Sequence, residues 1–152
     1  MLTASKMFKW EMAHMLEGHE GLCKNIHGHS YKMEVKVSHC MGATCSGPSR
    51  GMVTDFSDLK RIVTEKLIND LDHALFIDVS TPVDSVEQII LASVGDRIKT
   101  FRSAFRPTAE NMSMCFFRVL QGAFEAELPN VRLESVKIWE TDTAYAEYDP
   151  SK

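Results

Sequence analysis

His27, Gly28 and His29 place two imidazoles two positions apart, and on a β-strand that spacing points both at one face. Gly28 between them adds no bulk to the opposite face. A third histidine, His14, closes an earlier alternating stretch on its apolar parity, so two strand ends can bring three imidazoles together. Three protein nitrogens with one position left open is the pattern of a catalytic zinc site; a structural site is closed by four ligands, usually including thiolates. The competing reading of any one histidine is a satisfied core or surface residue, and His19 and His39 are read that way. For the paired His27 and His29 the two readings are evenly balanced on spacing alone.

The elements that must position these residues follow from periodicity. Residues 5–14 alternate, with Phe8, Trp10, Met12 and His14 on one parity, as a half-buried strand does. Residues 15–26 hold two glycines and read as a loop. Residues 27–39 alternate again, with Tyr31, Met33, Val35 and Val37 on the parity of the two histidines. The Gly-, Ser- and Pro-containing stretch 40–51 reads as a turn, and Met52 and Val53 as the start of a short strand. Asp55 is an N-cap for a helix carrying Phe56, Leu59, Ile62, Val63 and Leu67 and ending near 70–72. Val86, Ile89, Ile90, Val94 and Ile98 suggest an amphipathic helix capped by Asp84 or Ser85, followed by a basic loop. Pro107 and Thr108 open another helix, with Met112, Cys115, Phe116, Val119, Leu120 and Ala123 as its buried stripe. Residues 131–140 and 143–148 read as two antiparallel strands. Glu140 shares parity with Val136 and Ile138, which turns a carboxylate inward at a strand end, where it needs partners. This order is α+β, because strands and helices do not alternate.

The 152 residues fit one domain, taken as 1–152, and no apolar run approaches a membrane span. Lys6, Lys9 and Glu11 interrupt the N-terminal stretch, so it is not read as a signal peptide and a cytoplasmic location is expected. Cys23, Cys40, Cys45 and Cys115 are then expected as thiols. The net charge is −4 and the 17 basic residues form no stripe, which argues against nucleic acid and for a small-molecule substrate.

Six ordered segments, MAHML (12–16), CKNIHGHSY (23–31), GMVTDFSDLK (51–60), LDHALF (71–76), PTAEN (107–111) and WETDTAYAEY (139–148), resemble the 6-pyruvoyl-tetrahydropterin synthase family, most closely its bacterial 6-carboxy-tetrahydropterin synthase branch. They span nearly the whole chain. The resemblance implies Zn2+ on His14, His27 and His29, Cys23 as general base, Asp72 and His73 as its catalytic partners, and Glu140 as the pterin anchor. It also implies a tunnelling fold, a four-stranded antiparallel sheet with two main helices on one face, here with an extra helical insert at 76–106. Such subunits assemble into hexamers, as dimers of trimers, with sites between subunits, so Cys23 and Asp72-His73 can come from different chains. The implied reaction converts 7,8-dihydroneopterin triphosphate to 6-carboxy-5,6,7,8-tetrahydropterin, losing triphosphate and acetaldehyde, in 7-deazapurine (queuosine-type) synthesis. The three-residue gap from Cys23 to His27 resembles the carboxy branch.

Other readings stay open beside that one. Cys23 is alternatively a loop thiol or a fourth zinc ligand, Asp72-His73 a helix C-terminus, and Glu140 an exposed strand-end carboxylate. Glu110 reads as a first-turn charge, Arg102 and Arg106 as a solvated basic loop, and Cys40/Cys45 as incidental. The alternative functions are a pyruvoyl synthase that only eliminates triphosphate, an aldolase acting on dihydroneopterin, and a zinc-binding interaction module without catalysis.

Overall fold

The computed structural model describes residues 1–152. Two long strands, β1 (Thr3–His14) and β2 (His27–His39), pair antiparallel in continuous register, with Met12 opposite His29 and His14 opposite His27. Strand β5 (Val131–Thr141) adds to β2, and β6 (Ala144–Tyr148) to β5, both antiparallel. On the other side of β1 lie β3 (Ala74–Asp78) and β4 (Thr100–Ser103), and both join in parallel. The sheet is therefore six-stranded and mixed, in the order β4-β3-β1-β2-β5-β6. This corrects the expected four-stranded antiparallel sheet, which survives only as its β1-β2-β5-β6 part. The basic segment expected as loop supplies β4. Ala74–Asp78 is buried on both faces, and a strand covered on both sides reads as a continuous apolar run with no alternation to betray it.

Helix α1 (Phe56–Val63) runs through a π-helical turn, Thr64–Ile68, into the short α2 (Asn69–Leu71). As expected, Asp55 caps α1, its side chain accepting the Ser57 N–H. Helix α4 (Ala109–Glu127) is capped by Thr108, which accepts the Asn111 N–H. Helix α3 (Val86–Val94) is capped by Ser85. Met52 and Val53 belong to no strand, although Val53 is buried. In α4 the buried stripe takes Phe117 and leaves Val119 exposed. One core joins Phe8, Trp10, Met12, Tyr31, Met33, Val35, Val136 and Ile138 on the sheet to Leu59, Ile62, Met112, Phe116 and Leu120 on α1 and α4. The even-numbered face of β1 thus looks into the core and His14 ends it. No helix is long and apolar enough to cross a membrane.

Candidate metal centre and its surroundings

The three predicted histidines come together. One ring nitrogen from each of His14, His27 and His29 lies within 4.8 Å of the others. His14 is 1 % exposed, at the last position of β1, and the other two are half-buried. The His14 and His27 Nε2 atoms are 3.1 Å apart. His14 Nδ1 lies 2.8 Å from the Pro107 carbonyl oxygen, and His27 Nδ1 lies 2.7 Å from that of Asn25. A carbonyl can only accept, so each Nδ1 carries the hydrogen and each Nε2 presents a lone pair. Two lone pairs thus face each other at hydrogen-bond distance with no ring hydrogen between them. His29 Nε2 is buried without any hydrogen-bond partner. Three converging ring nitrogens, with the Tyr31 hydroxyl 3.4 Å from His14 Nε2, fit a cation, and their chemistry suits zinc. Burial first, with the neighbouring His27 and His29 adding to it, holds His14 down at about 4 despite its hydrogen bond to Pro107, and burial and His27 lower His29. His14 and His29 are thus poised as neutral ligands near neutral pH.

Tyr31 extends the cluster. Its buried hydroxyl lies 3.3 Å from His14 Nδ1, and burial, with Glu140 and Cys23 nearby, raises its phenol well above the usual range. Cys23 sits half-buried on a single 3-10 turn, Leu22–Lys24. Glu140 is half-buried near the end of β5. Burial and the neighbouring Glu110 raise its carboxyl, while His27 opposes the shift. A cavity of about 220 Å³ lies between α4 and the β5–β6 turn, lined by Leu16, Thr108, Glu110, Glu140 and Tyr145 among others. Glu110, read from sequence as a first-turn charge only, therefore shares a pocket wall with Glu140. Neither it nor Tyr31 carries a spacing signal that would single it out; both are found by their neighbours in space.

Asp72 and His73 are not brought to this cluster. His73 lines a cavity of about 460 Å³ with Glu11, Met12, Ala13, His29, Ser30 and Lys99. Glu11, Ala13 and Ser30 alternate with Met12, His14 and His29, so the greater part of that cavity lies on the opposite face of the sheet, and His29 is the one member of the triad that borders it. The pair is nevertheless built with care. Asp72 Oδ1 accepts the Glu11 N–H at 3.0 Å and lies 3.0 Å from His73 Nδ1. The Glu11 amide first, then His73 and Lys99, hold the Asp72 carboxyl below its ordinary value against the opposing effect of burial. Lys99 Nζ donates to the carbonyls of Asn69 and Asp72. His73 is the one non-glycine residue with positive φ, 61°, a conformation that costs energy and is kept by the surrounding bonds. Its side chain is 77 % exposed.

Comparison with known proteins agrees with this geometry. The family profile described as 6-pyruvoyl tetrahydropterin synthase matches residues 3–151. The chain is 38 % identical over 148 residues to the 6-carboxy-5,6,7,8-tetrahydropterin synthase of Haemophilus influenzae, covering 97 % of this chain and 99 % of that one. It is 34 % identical to the protein of the same name from Synechocystis, covering 94 % and 89 %. In fold it is similar to the 6-pyruvoyl tetrahydropterin synthase of Caenorhabditis elegans, with a TM-score of 0.64 and 24 % identity over 97 % of this chain and 94 % of that one. An imidazole triad with paired lone pairs, on a sheet of this topology and within a match that spans the chain, leads to one assignment: the chain belongs to the 6-pyruvoyl tetrahydropterin synthase family.

Proposed function

We propose that the protein is a zinc-dependent 6-carboxy-tetrahydropterin synthase, a cytoplasmic lyase of one domain over residues 1–152. It converts 7,8-dihydroneopterin triphosphate to 6-carboxy-5,6,7,8-tetrahydropterin with loss of triphosphate and acetaldehyde, in 7-deazapurine synthesis. The observation that carries the reading is the convergence of three acceptor nitrogens beside Cys23 and Glu140. The names of the relatives from Haemophilus influenzae and Synechocystis support the carboxy product over the pyruvoyl one.

His14, His27 and His29 would hold the zinc, which when bound would supply Lewis-acid polarisation to the substrate's side-chain oxygens. Cys23, as the base, takes the proton from the side-chain carbon next to those oxygens. Glu140 accepts from the pterin N3–H and 2-amino group, two parallel donors that match a carboxylate. The raised Glu140 carboxyl is that of a group waiting for donors to offset its burial. Asp72 holds His73 Nδ1, which leaves Nε2 to exchange protons with the side-chain oxygens.

An oriented but exposed His73, on the face opposite the triad, is best explained by service to a neighbouring copy. We therefore place Cys23, Glu140 and the metal ligands in one subunit and Asp72-His73 in the next, within a hexamer built as a dimer of trimers. Mass spectrometry of the products from dihydroneopterin triphosphate tests the reading. Zinc-loaded protein should yield the 6-carboxy product and acetaldehyde. A 6-pyruvoyl product would move it to the elimination-only branch, and no turnover would favour a zinc module without catalysis.

A further inference from the structure

The segment between β3 and β4 meets Asp72 at its far end, through Lys99, and at its near end it is tied to the loop that carries Cys23. The 3-10 turn holding Cys23 buries no residue, and Leu22 beside it is 86 % exposed, so apolar packing does not fix that turn. Its tether is polar: the Leu16 N–H donates to the Cys23 carbonyl at 2.8 Å. The next residue, Glu17, is held on both sides. Its Oε1 accepts the Val86 N–H at 2.8 Å and its Oε2 the Glu87 N–H at 3.2 Å. Arg106 Nη2 donates to the Glu17 carbonyl at 3.3 Å. The first amides of a helix have no partner within it, and a carboxylate there also meets the positive end of the dipole. With Ser85 Oγ accepting the Gln88 N–H, Glu17 completes the cap of α3 from another part of the chain. The helix is in turn fixed to the sheet, because Glu87, 2 % exposed, turns inward and accepts the Asp78 N–H. A hydrogen-bonded path thus runs from β3 through α3, Glu17 and the Leu16 amide to the carbonyl of Cys23.

We propose that Glu17 is the positioning residue for Cys23, and that the segment between β3 and β4 supplies its docking point on α3. The inference rests on the reading of Cys23 as the base. Using both oxygens matters, since one bond would leave the carboxylate free to swivel and the turn free to follow. A base displaced by about 1 Å from its target carbon loses on the order of 100-fold in rate.

The test compares Glu17→Ala and Glu17→Gln in the zinc-loaded full-length protein. Glu17→Ala should lower kcat by about 10- to 100-fold with KM nearly unchanged. Zinc content and Tm should stay close to those of the unaltered protein. Glu17→Gln keeps one acceptor and sets an amide N–H against the other helix amide, so it should fall between the two. Iodoacetamide labelling of Cys23, followed by peptide mass spectrometry with Cys115 as internal reference, should speed up several-fold in Glu17→Ala. Arg106→Ala, which frees the Glu17 carbonyl and leaves the Glu17 carboxylate on α3, should move the same readouts less and serves if Glu17→Ala folds poorly. Unchanged kcat together with unchanged Cys23 labelling in Glu17→Ala would overturn the proposal, as would a loss of rate that merely tracks loss of zinc or of Tm. Faster labelling with unchanged turnover would support the positioning role and contradict Cys23 as base, which separates the two failures.

Discussion

His14 and His27 face each other across the end of the β1–β2 pair with their Nε2 atoms 3.1 Å apart and no hydrogen between them, because each ring has committed its Nδ1–H to a carbonyl. Without a cation this is an electrostatic liability, and a cation relieves it. Removing one ring of the three should therefore weaken zinc binding steeply while costing the fold little. His14→Ala, His27→Ala and His29→Ala should each raise the zinc Kd at least about 100-fold, a larger loss than the 10- to 100-fold typical of outer-shell changes. Competition with a chromophoric chelator measures it. Unaltered affinity in any one of them would remove that residue from the ligand set.

The separation of His73 from the triad makes a prediction about assembly. Cys23→Ala and His73→Ala should each be nearly inactive. Coexpressed in one hexamer, they should recover about a quarter of the activity, the share of sites that receive an intact Cys23 from one copy and an intact His73 from its neighbour. Activity assays on tagged, co-purified mixtures check this. No recovery in mixed assemblies would place all the groups in one chain.

Glu140 is predicted to act on binding more than on the chemical step. Glu140→Gln replaces one acceptor by a donor that faces the pterin's own donors. KM should rise by about 10- to 100-fold, as expected when a charge-assisted bidentate pair is broken. Steady-state kinetics read it out, and an unchanged KM would return Glu140 to the role of an ordinary strand-end carboxylate.

Glu87 gives the fold its own pH dependence. Burial first, then Asp78 and Glu17, raises its carboxyl from 4.5 to about 7, against the stabilising Asp78 amide. A raised acid binds its proton more tightly in the fold than in the unfolded chain. Its contribution is thus fully present below about pH 4.5 and is lost as pH climbs to about 7. Glu87→Gln, which is never charged, should match the unaltered protein in Tm near pH 4.5 and exceed it above pH 7. The gap should be on the order of 3 kcal/mol in stability. Thermal melts across that range measure it, and a Tm for Glu87→Gln that drops below the unaltered protein above pH 7 would reverse the sign.

Alternation in β1 and β2 is enough to place His14, His27 and His29 on one face, because both strands pack one side on a core and leave the other to solvent. Capping chemistry likewise locates Asp55, Ser85 and Thr108. What periodicity does not reveal is pairing between distant segments. Ala74–Asp78 and Thr100–Ser103 become strands because β1 offers an open edge near Met12 and Ala13, a fact of the assembled sheet and not of either segment. For the same reason the sequence places Asp72-His73 after the first helix without saying on which side of the sheet it lands. The Glu17 contact with α3 joins residues about 70 positions apart, beyond any local pattern.

The most direct test of the account is turnover against bound metal. Metal-free protein, titrated with zinc, should convert 7,8-dihydroneopterin triphosphate at a rate that rises in proportion to bound zinc, levels off at one ion per chain, and stays at background in His29→Ala. A rate that is flat across the titration, or one that persists in His29→Ala, would contradict it.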